Sequence, residues 1–122
     1  MNGKVLVVDD SGLARRRVRG ILEDAGYEVL EAEDGMSALE RYFVAKPDLV
    51  LLDLVMKGMY GLDVLMKLRE MDPEARVIVV SADVQTSSHE MVEQAGAAGF
   101  LMKPIDTDQV LALVKSTLER TT

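Results

Sequence analysis

The sequence contains no cysteine and only one histidine in 122 residues. Without cysteine, disulfides, thiolate metal sites and thiol nucleophiles are all excluded. The lone histidine, His89, lies in a polar stretch with no second nitrogen ligand in sight, so it is given no role. Basic residues are also short, with 14 Lys and Arg against 21 Asp and Glu and a net charge of −7. That balance disfavours nonspecific nucleic-acid binding, which needs surplus cations to displace phosphate counterions. Long apolar runs are missing too: the longest are strand-sized, well short of the roughly 20 residues a membrane span needs. Nothing ahead of the first strand has the make-up of a signal or transit segment, so a soluble cytoplasmic protein is expected.

What is present is a globular balance. Hydrophobic residues make up 48% and charged residues 29%, enough to bury a core, and the length suits a single domain over residues 1–122. No repeat, low-complexity segment or linker interrupts it.

The organising stretch is Leu49 to Leu54, which runs apolar residues without alternation up to Asp53. A strand apolar on both faces belongs inside a parallel sheet covered by helices, with charge tolerated only where the strand surfaces. Two further runs end alike: Lys4 to Val8 runs into Asp9 and Asp10, and Arg76 to Val80 ends in Ser81. Tyr27 to Ala32 alternates and predicts a strand nearer an edge, and Phe100 to Met102 a short last strand broken by Pro104. Between them helical spacing recurs. Ser11 or Gly12 caps a first helix bearing Ala14, Val18, Ile21, Leu22 and Ala25, which Gly26 stops. Gly35 precedes a second helix with Ala38, Leu39, Tyr42 and Phe43 on one face, and a third turns Leu62, Leu65 and Met66 inward. Residues 82–88 form a polar loop leading into a fourth helix through Met91, Val92 and Ala95. Asp106 and Gln109 resemble a capping box for a fifth, with Val110, Leu113, Val114 and Leu118. Strands alternating with helices imply an α/β fold: a doubly wound parallel sheet with helices on both faces.

In such a sheet ligands bind beyond the carboxyl ends of the strands, so Asp9, Asp10 and Asp53 are expected to converge there. Three carboxylates at one edge repel unless a cation is present. Hard oxygen ligands favour Mg²⁺. Lys103 adds a point charge suited to a phosphoryl oxygen, and Ser81 a hydroxyl. A carboxylate nucleophile, a metal, a lysine and a hydroxyl make a site for forming and breaking an aspartyl phosphate.

These residues carry a resemblance. Val7-Val8-Asp9-Asp10-Ser11, Leu52-Asp53-Leu54-Val55-Met56 with Gly61, Val80-Ser81-Ala82, and Gly96-Ala97 through Phe100 to Lys103-Pro104 together resemble the response-regulator receiver domains, over nearly the whole chain. The resemblance implies the flavodoxin-like (βα)5 fold with strand order 2-1-3-4-5. It implies Asp53 as phosphoacceptor, Mg²⁺ held by Asp9, Asp10, Asp53 and the Val55 carbonyl, and Ser81 and Lys103 on the phosphoryl group. A cis Lys103-Pro104 peptide follows from it, as does a switch in which Ser81 and Phe100 move together. Phe100 lacks the hydroxyl of the Tyr often found there and is expected to prefer burial even without phosphate. Lys57 stands where Pro is usual and Tyr60 where Asp or Asn often precedes the glycine; Val55 and Asp83 flank the attacking water in relatives.

The function implied is a two-component switch that takes a phosphoryl group from a histidine kinase or phosphotransfer protein and changes its affinity for an output protein, plausibly in chemotaxis. A monomer or a weak phosphorylation-dependent dimer is expected. Arg15, Arg16, Arg17 and Arg19 weigh evenly between a solvated helix face and a docking surface for an acidic partner, and the resemblance favours docking. Met56 and Met59 suggest a partner-facing lip, weighed against ordinary packing. Rival readings are a noncatalytic scaffold of the same fold and a Mg²⁺-dependent phosphohydrolase of the haloacid dehalogenase type. The second needs an Asp two residues after the nucleophile, where Val55 stands. A flavodoxin-like electron carrier would find its cofactor phosphate repelled by Asp9 and Asp10.

Overall fold

Apolar runs four or five residues long become the strands of a computed structural model that describes residues 3–56, 60–82 and 86–120, with the side chains of 86–88 left aside. They are β1 (Lys4–Val8), β2 (Glu28–Ala32), β3 (Leu49–Asp53), β4 (Val77–Ser81) and β5 (Gly99–Met102). The helices between and after them are α1 (Gly12–Asp24), α2 (Gly35–Ala45), α3 (Gly61–Met71), α4 (Thr86–Gln94) and α5 (Thr107–Glu119). All strand pairs are parallel, in the order β2-β1-β3-β4-β5 that the resemblance implied.

Successive residues of each strand point to opposite faces, so one sheet feeds two cores. Leu6, Val8, Val50, Leu52, Val77 and Val79 pack with Ala38 and Tyr42 of α2, Val64, Leu65 and Leu68 of α3, and Val92 of α4. Val5, Val7, Leu49, Leu51, Ile78 and Val80 pack on the other face with Val18 and Leu22 of α1 and Val110 and Val114 of α5. Every residue of β3 is buried, as its unbroken apolar run predicts for the middle of the sheet. Edge strand β2 buries only Val29 and Ala32.

Caps begin and end the helices where the sequence expects them, with one change. Ser11 accepts a hydrogen bond from the Ala14 N–H at 3.2 Å, and Asp106 from the Gln109 N–H at 2.9 Å. The cap of α2 is Asp34, which accepts from the Ser37 N–H at 2.8 Å, and Gly35 is already helical. Gly26 takes the left-handed φ of 95° that ends α1, and Ala25, expected on the apolar face, is the exposed residue that caps it.

The expected helix faces need correction at three further places. Phe43, Met66 and Met91 are exposed, at 59%, 53% and 49%. Tyr42 sets the inward direction of α2, its hydroxyl donating to Asp72 at 2.7 Å, and Phe43 lies about 100° further round the helix. Val64 and Leu68, rather than Met66, lie on the buried side of α3. Val92 takes the inward place on α4.

Candidate functional site

Four strand ends and the loops beyond them build the site. Asp9 follows β1, Asp53 closes β3, Ser81 closes β4 and Lys103 follows β5, so the parallel register delivers all four to one edge of the sheet. Carboxylate oxygens of Asp9, Asp10 and Asp53 lie within 4.8 Å of one another, with Asp9 and Asp53 buried and Asp10 exposed. The Lys103 Nζ stands between two of them, 3.2 Å from Asp9 Oδ2 and 3.3 Å from Asp53 Oδ2. A buried pair of carboxylates bridged by an ammonium is a site that demands positive charge, and its all-oxygen donor set fits Mg²⁺ rather than a softer metal.

Electrostatics follow from that crowding. Burial and the charge of Asp9 raise the Asp53 pKa above the ordinary 3.8, while Lys103 and the Val55 N–H pull it back down. Burial works to lower the pKa of Lys103, but the charges of Asp53 and Asp9 outweigh it and hold the ammonium on. The Val55 N–H donates to Asp53 Oδ1 at 3.3 Å, which fixes the orientation of the carboxylate.

Local packing keeps Asp53 where it is. Gly61, at the start of α3, is pressed so close to the end of β3 that a Cβ there would sit 2.5 Å from the Asp53 carbonyl oxygen and 2.6 Å from Leu54 Cα. The Gly61 N–H donates to the Leu54 carbonyl at 2.8 Å, closing the loop that carries Val55 and Met56. Met56 is 8% exposed and packs into the core, so it forms no lip. Lys57, Met59 and Asp83 lie outside the described residues. The Lys103-Pro104 peptide is cis, as expected. Ser81 is buried at the end of β4, and its carbonyl accepts from the Lys103 N–H at 2.9 Å.

One expectation changes, and another gains detail. Phe100 is half-buried rather than enclosed: its ring stacks on exposed His89 with centroids 4.6 Å apart and planes at 18°. An aromatic partner at the surface offsets part of what full burial would gain, and gives His89 a contact its polar surroundings in sequence conceal. The four arginines of α1 do not form one free face either. Arg15 pairs with Glu31 at 3.0 Å, Arg19 with Glu31 at 2.8 Å and Glu23 at 3.0 Å, and Arg17 donates to the Ile105 carbonyl at 3.0 Å. These partners lie on β2 and in the loop before α5, apart from Glu23 on α1 itself, and pattern along one helix does not reveal them.

Parallel topology, strand-end carboxylates and a bridging lysine make a site suited to phosphoryl chemistry, and comparison with known proteins gives its family. Residues 5–115 match the family model of the response regulator receiver domain, and the chain belongs to that family as a CheY-like receiver domain of two-component signalling. Among curated relatives, the chemotaxis protein CheY of Bacillus subtilis is 40% identical over 97% of this chain and 99% of its own length. The sporulation initiation phosphotransferase F of the same organism is 33% identical over 97% and 95%. A solved CheY-like receiver from Methanospirillum hungatei superposes with a TM-score of 0.92 at 27% identity, covering 98% of this chain and 95% of that one. Acceptance of a phosphoryl group is the general function of this family, and none of its described helices here is long and apolar enough to cross a membrane.

Proposed function

We propose that this chain, as one receiver domain over residues 1–122, accepts a phosphoryl group on Asp53 from a histidine kinase or phosphotransfer protein and switches its affinity for an output protein. The observation that carries the reading is the Lys103 amine shared between Asp9 and Asp53 inside an acidic cluster. Such a lysine offsets part of the resting site's negative charge and is placed to follow charge onto an incoming phosphoryl group.

Asp9, Asp10, Asp53 and the Val55 carbonyl would hold Mg²⁺. When bound, the ion neutralises charge that the carboxylates and phosphoryl oxygens would otherwise force together. Asp53 must be ionised to attack phosphorus, and Lys103 opposes the rise that burial imposes on its pKa. An Asp53 oxygen forms the new bond to phosphorus as the bond to the donor nitrogen breaks, and the electron pair leaves with the donor imidazole. A cleft of about 430 Å³ lined by Ser11, Leu13, Ala14, Lys103, Pro104 and Ile105 opens beside the lysine and offers a donor side chain an apolar approach. Arg17 and Leu13, exposed on α1, also line that approach. Ser81 and Phe100 would form the relay: the hydroxyl shifts to the phosphoryl oxygen, and the aromatic ring moves inward from His89. All the acidic positions and the lysine are retained, which favours this reading over a scaffold. Val55 two residues after Asp53 disfavours a phosphohydrolase.

Incubation with a small-molecule phosphodonor, followed by intact-mass spectrometry, tests it. One phosphoryl group per chain is expected, dependent on Mg²⁺ and absent from Asp53→Asn. Equal incorporation by the variant would overturn the assignment.

A further inference from the structure

Asp9 is tied down at every polar atom it owns. Its N–H donates to the Ala32 carbonyl at 3.2 Å, its Oδ1 accepts from the Ser11 N–H at 2.9 Å, and its Oδ2 accepts from Lys103 at 3.2 Å. The fourth tie is the least expected. The carbonyl oxygen of Asp9 accepts a 2.6 Å hydrogen bond from Arg15 Nη1, a charge-assisted bond aimed at the peptide that joins Asp9 to Asp10.

Arg15 is well placed to hold that peptide because its own fork is fixed. Its Nε donates to Glu31 Oε1 at 3.0 Å, while the other oxygen of Glu31 accepts from Arg19 Nη1 at 2.8 Å. The Arg15 side chain is 17% exposed and that of Glu31 24%, so the pair is shielded on the flank of the sheet rather than waving in water. Two separate nitrogens of one planar group thus reach two elements: Nε holds β2 and Nη1 holds the turn after β1. A lysine has one nitrogen and cannot reproduce that span.

We propose that Arg15 is a positioning residue for divalent cation binding: by fixing the Asp9–Asp10 peptide it sets the spread of the two carboxylates, with Glu31 as its anchor. This deepens the reading of the acidic cluster and rests on it. The sign of the effect separates positioning from simple charge. Removing a cation near an acidic site should, by Coulomb's law alone, tighten Mg²⁺ binding. Loosening the peptide that spaces two ligands should weaken it, by about tenfold as for other groups that orient metal ligands.

Isothermal titration of Mg²⁺ into the full chain, with circular dichroism to verify folding, decides the matter. The expected order of affinity is unaltered chain, then Arg15→Lys, then Arg15→Ala, the last about tenfold weaker. Equal or tighter binding by folded Arg15→Ala overturns the proposal. Should that variant not fold, Arg15→Lys decides, since it keeps the charge: weaker binding supports positioning and unchanged affinity overturns it. No Mg²⁺ binding by the unaltered chain would instead bring down the metal reading itself and this inference with it.

Discussion

The acid edge and the α4–β5 face follow opposite rules of construction. At the acid edge Asp9 is bonded through its N–H, carbonyl and both carboxylate oxygens, and Gly61 is packed against backbone with no room for a methyl group. On the α4–β5 face Phe100 is half-buried, rests on one exposed ring, and borders a wide groove of about 690 Å³ shared with Met102, Gln109 and Leu113. Groups that must meet a reacting atom gain from a geometry fixed by several bonds at once, because small misplacements are costly in rate. A ring that moves in the proposed relay gains from a neighbour it can leave. Elsewhere, on α5, Thr117 is buried, and its hydroxyl has no hydrogen-bond partner among the described residues.

Gly61→Ala attacks the tight side and should have the largest effect. The new Cβ meets backbone, which cannot swing away, so α3 must shift from the end of β3 at a cost of about 1–3 kcal/mol. Denaturant unfolding measures that loss, and phosphorylation of the variant should slow because the Asp53 loop moves with the helix. An undiminished midpoint would show slack where we infer none.

Thr117→Val, on the buried side of α5, should act with the opposite sign and sets a scale for the first change. Replacing a buried, unpaired hydroxyl by a methyl of similar shape should raise stability by about 1 kcal/mol. A fall in the urea midpoint would mean that the hydroxyl is bonded after all.

Glu31→Gln tests the outer brace of the acid edge through pH. Hydrogen bonds from Arg19 and, after the opposing effect of burial, from Arg15 hold Glu31 below its ordinary 4.5. A depressed carboxylate stabilises the fold fully above its unfolded value and loses that contribution as pH falls through the folded one. The melting difference between the two proteins should therefore be present at neutral pH, amount to about 0.5 kcal/mol, shrink with added salt, and vanish in acid. A difference independent of pH would remove the ion pair as its cause.

The smallest change in stability is expected from His89→Ala, within about 0.5 kcal/mol because the side chain is exposed. Its effect should appear instead in the ring resonances of Phe100, which lose a stacked neighbour. Unmoved resonances would separate the two rings in solution.

The strands were legible because a parallel sheet leaves little choice: an apolar run with a polar end is buried along its length and surfaces where it stops. Asp9, Asp53, Ser81 and Lys103 could be found that way, each from its own strand. Helix faces were less legible, since Phe43, Met66 and Met91 fall within the broad apolar arc of a short helix and only packing against the sheet selects which positions turn inward. The partners of the arginines were illegible for another reason. Their spacing along α1 says nothing of Glu31 on β2 or the Ile105 carbonyl before α5, which three of the four arginines reach.

One bond in the site joins the two ends of the chain in time as well as in space. Asp9 and Lys103 are 94 positions apart, and their contact requires β1, β3, β4 and β5 to be in register. Long-range parallel pairings of this kind form late, after their loop entropy has been met. A chain still emerging from the ribosome therefore shows its first carboxylates long before the lysine that offsets part of their charge exists. Until β5 docks, the acid edge opposes compaction by its own repulsion, and afterwards it holds the sheet closed. Docking of the last strand and delivery of the lysine are thereby coupled, so fragments lacking that strand carry the acids of a receiver without their bridging cation.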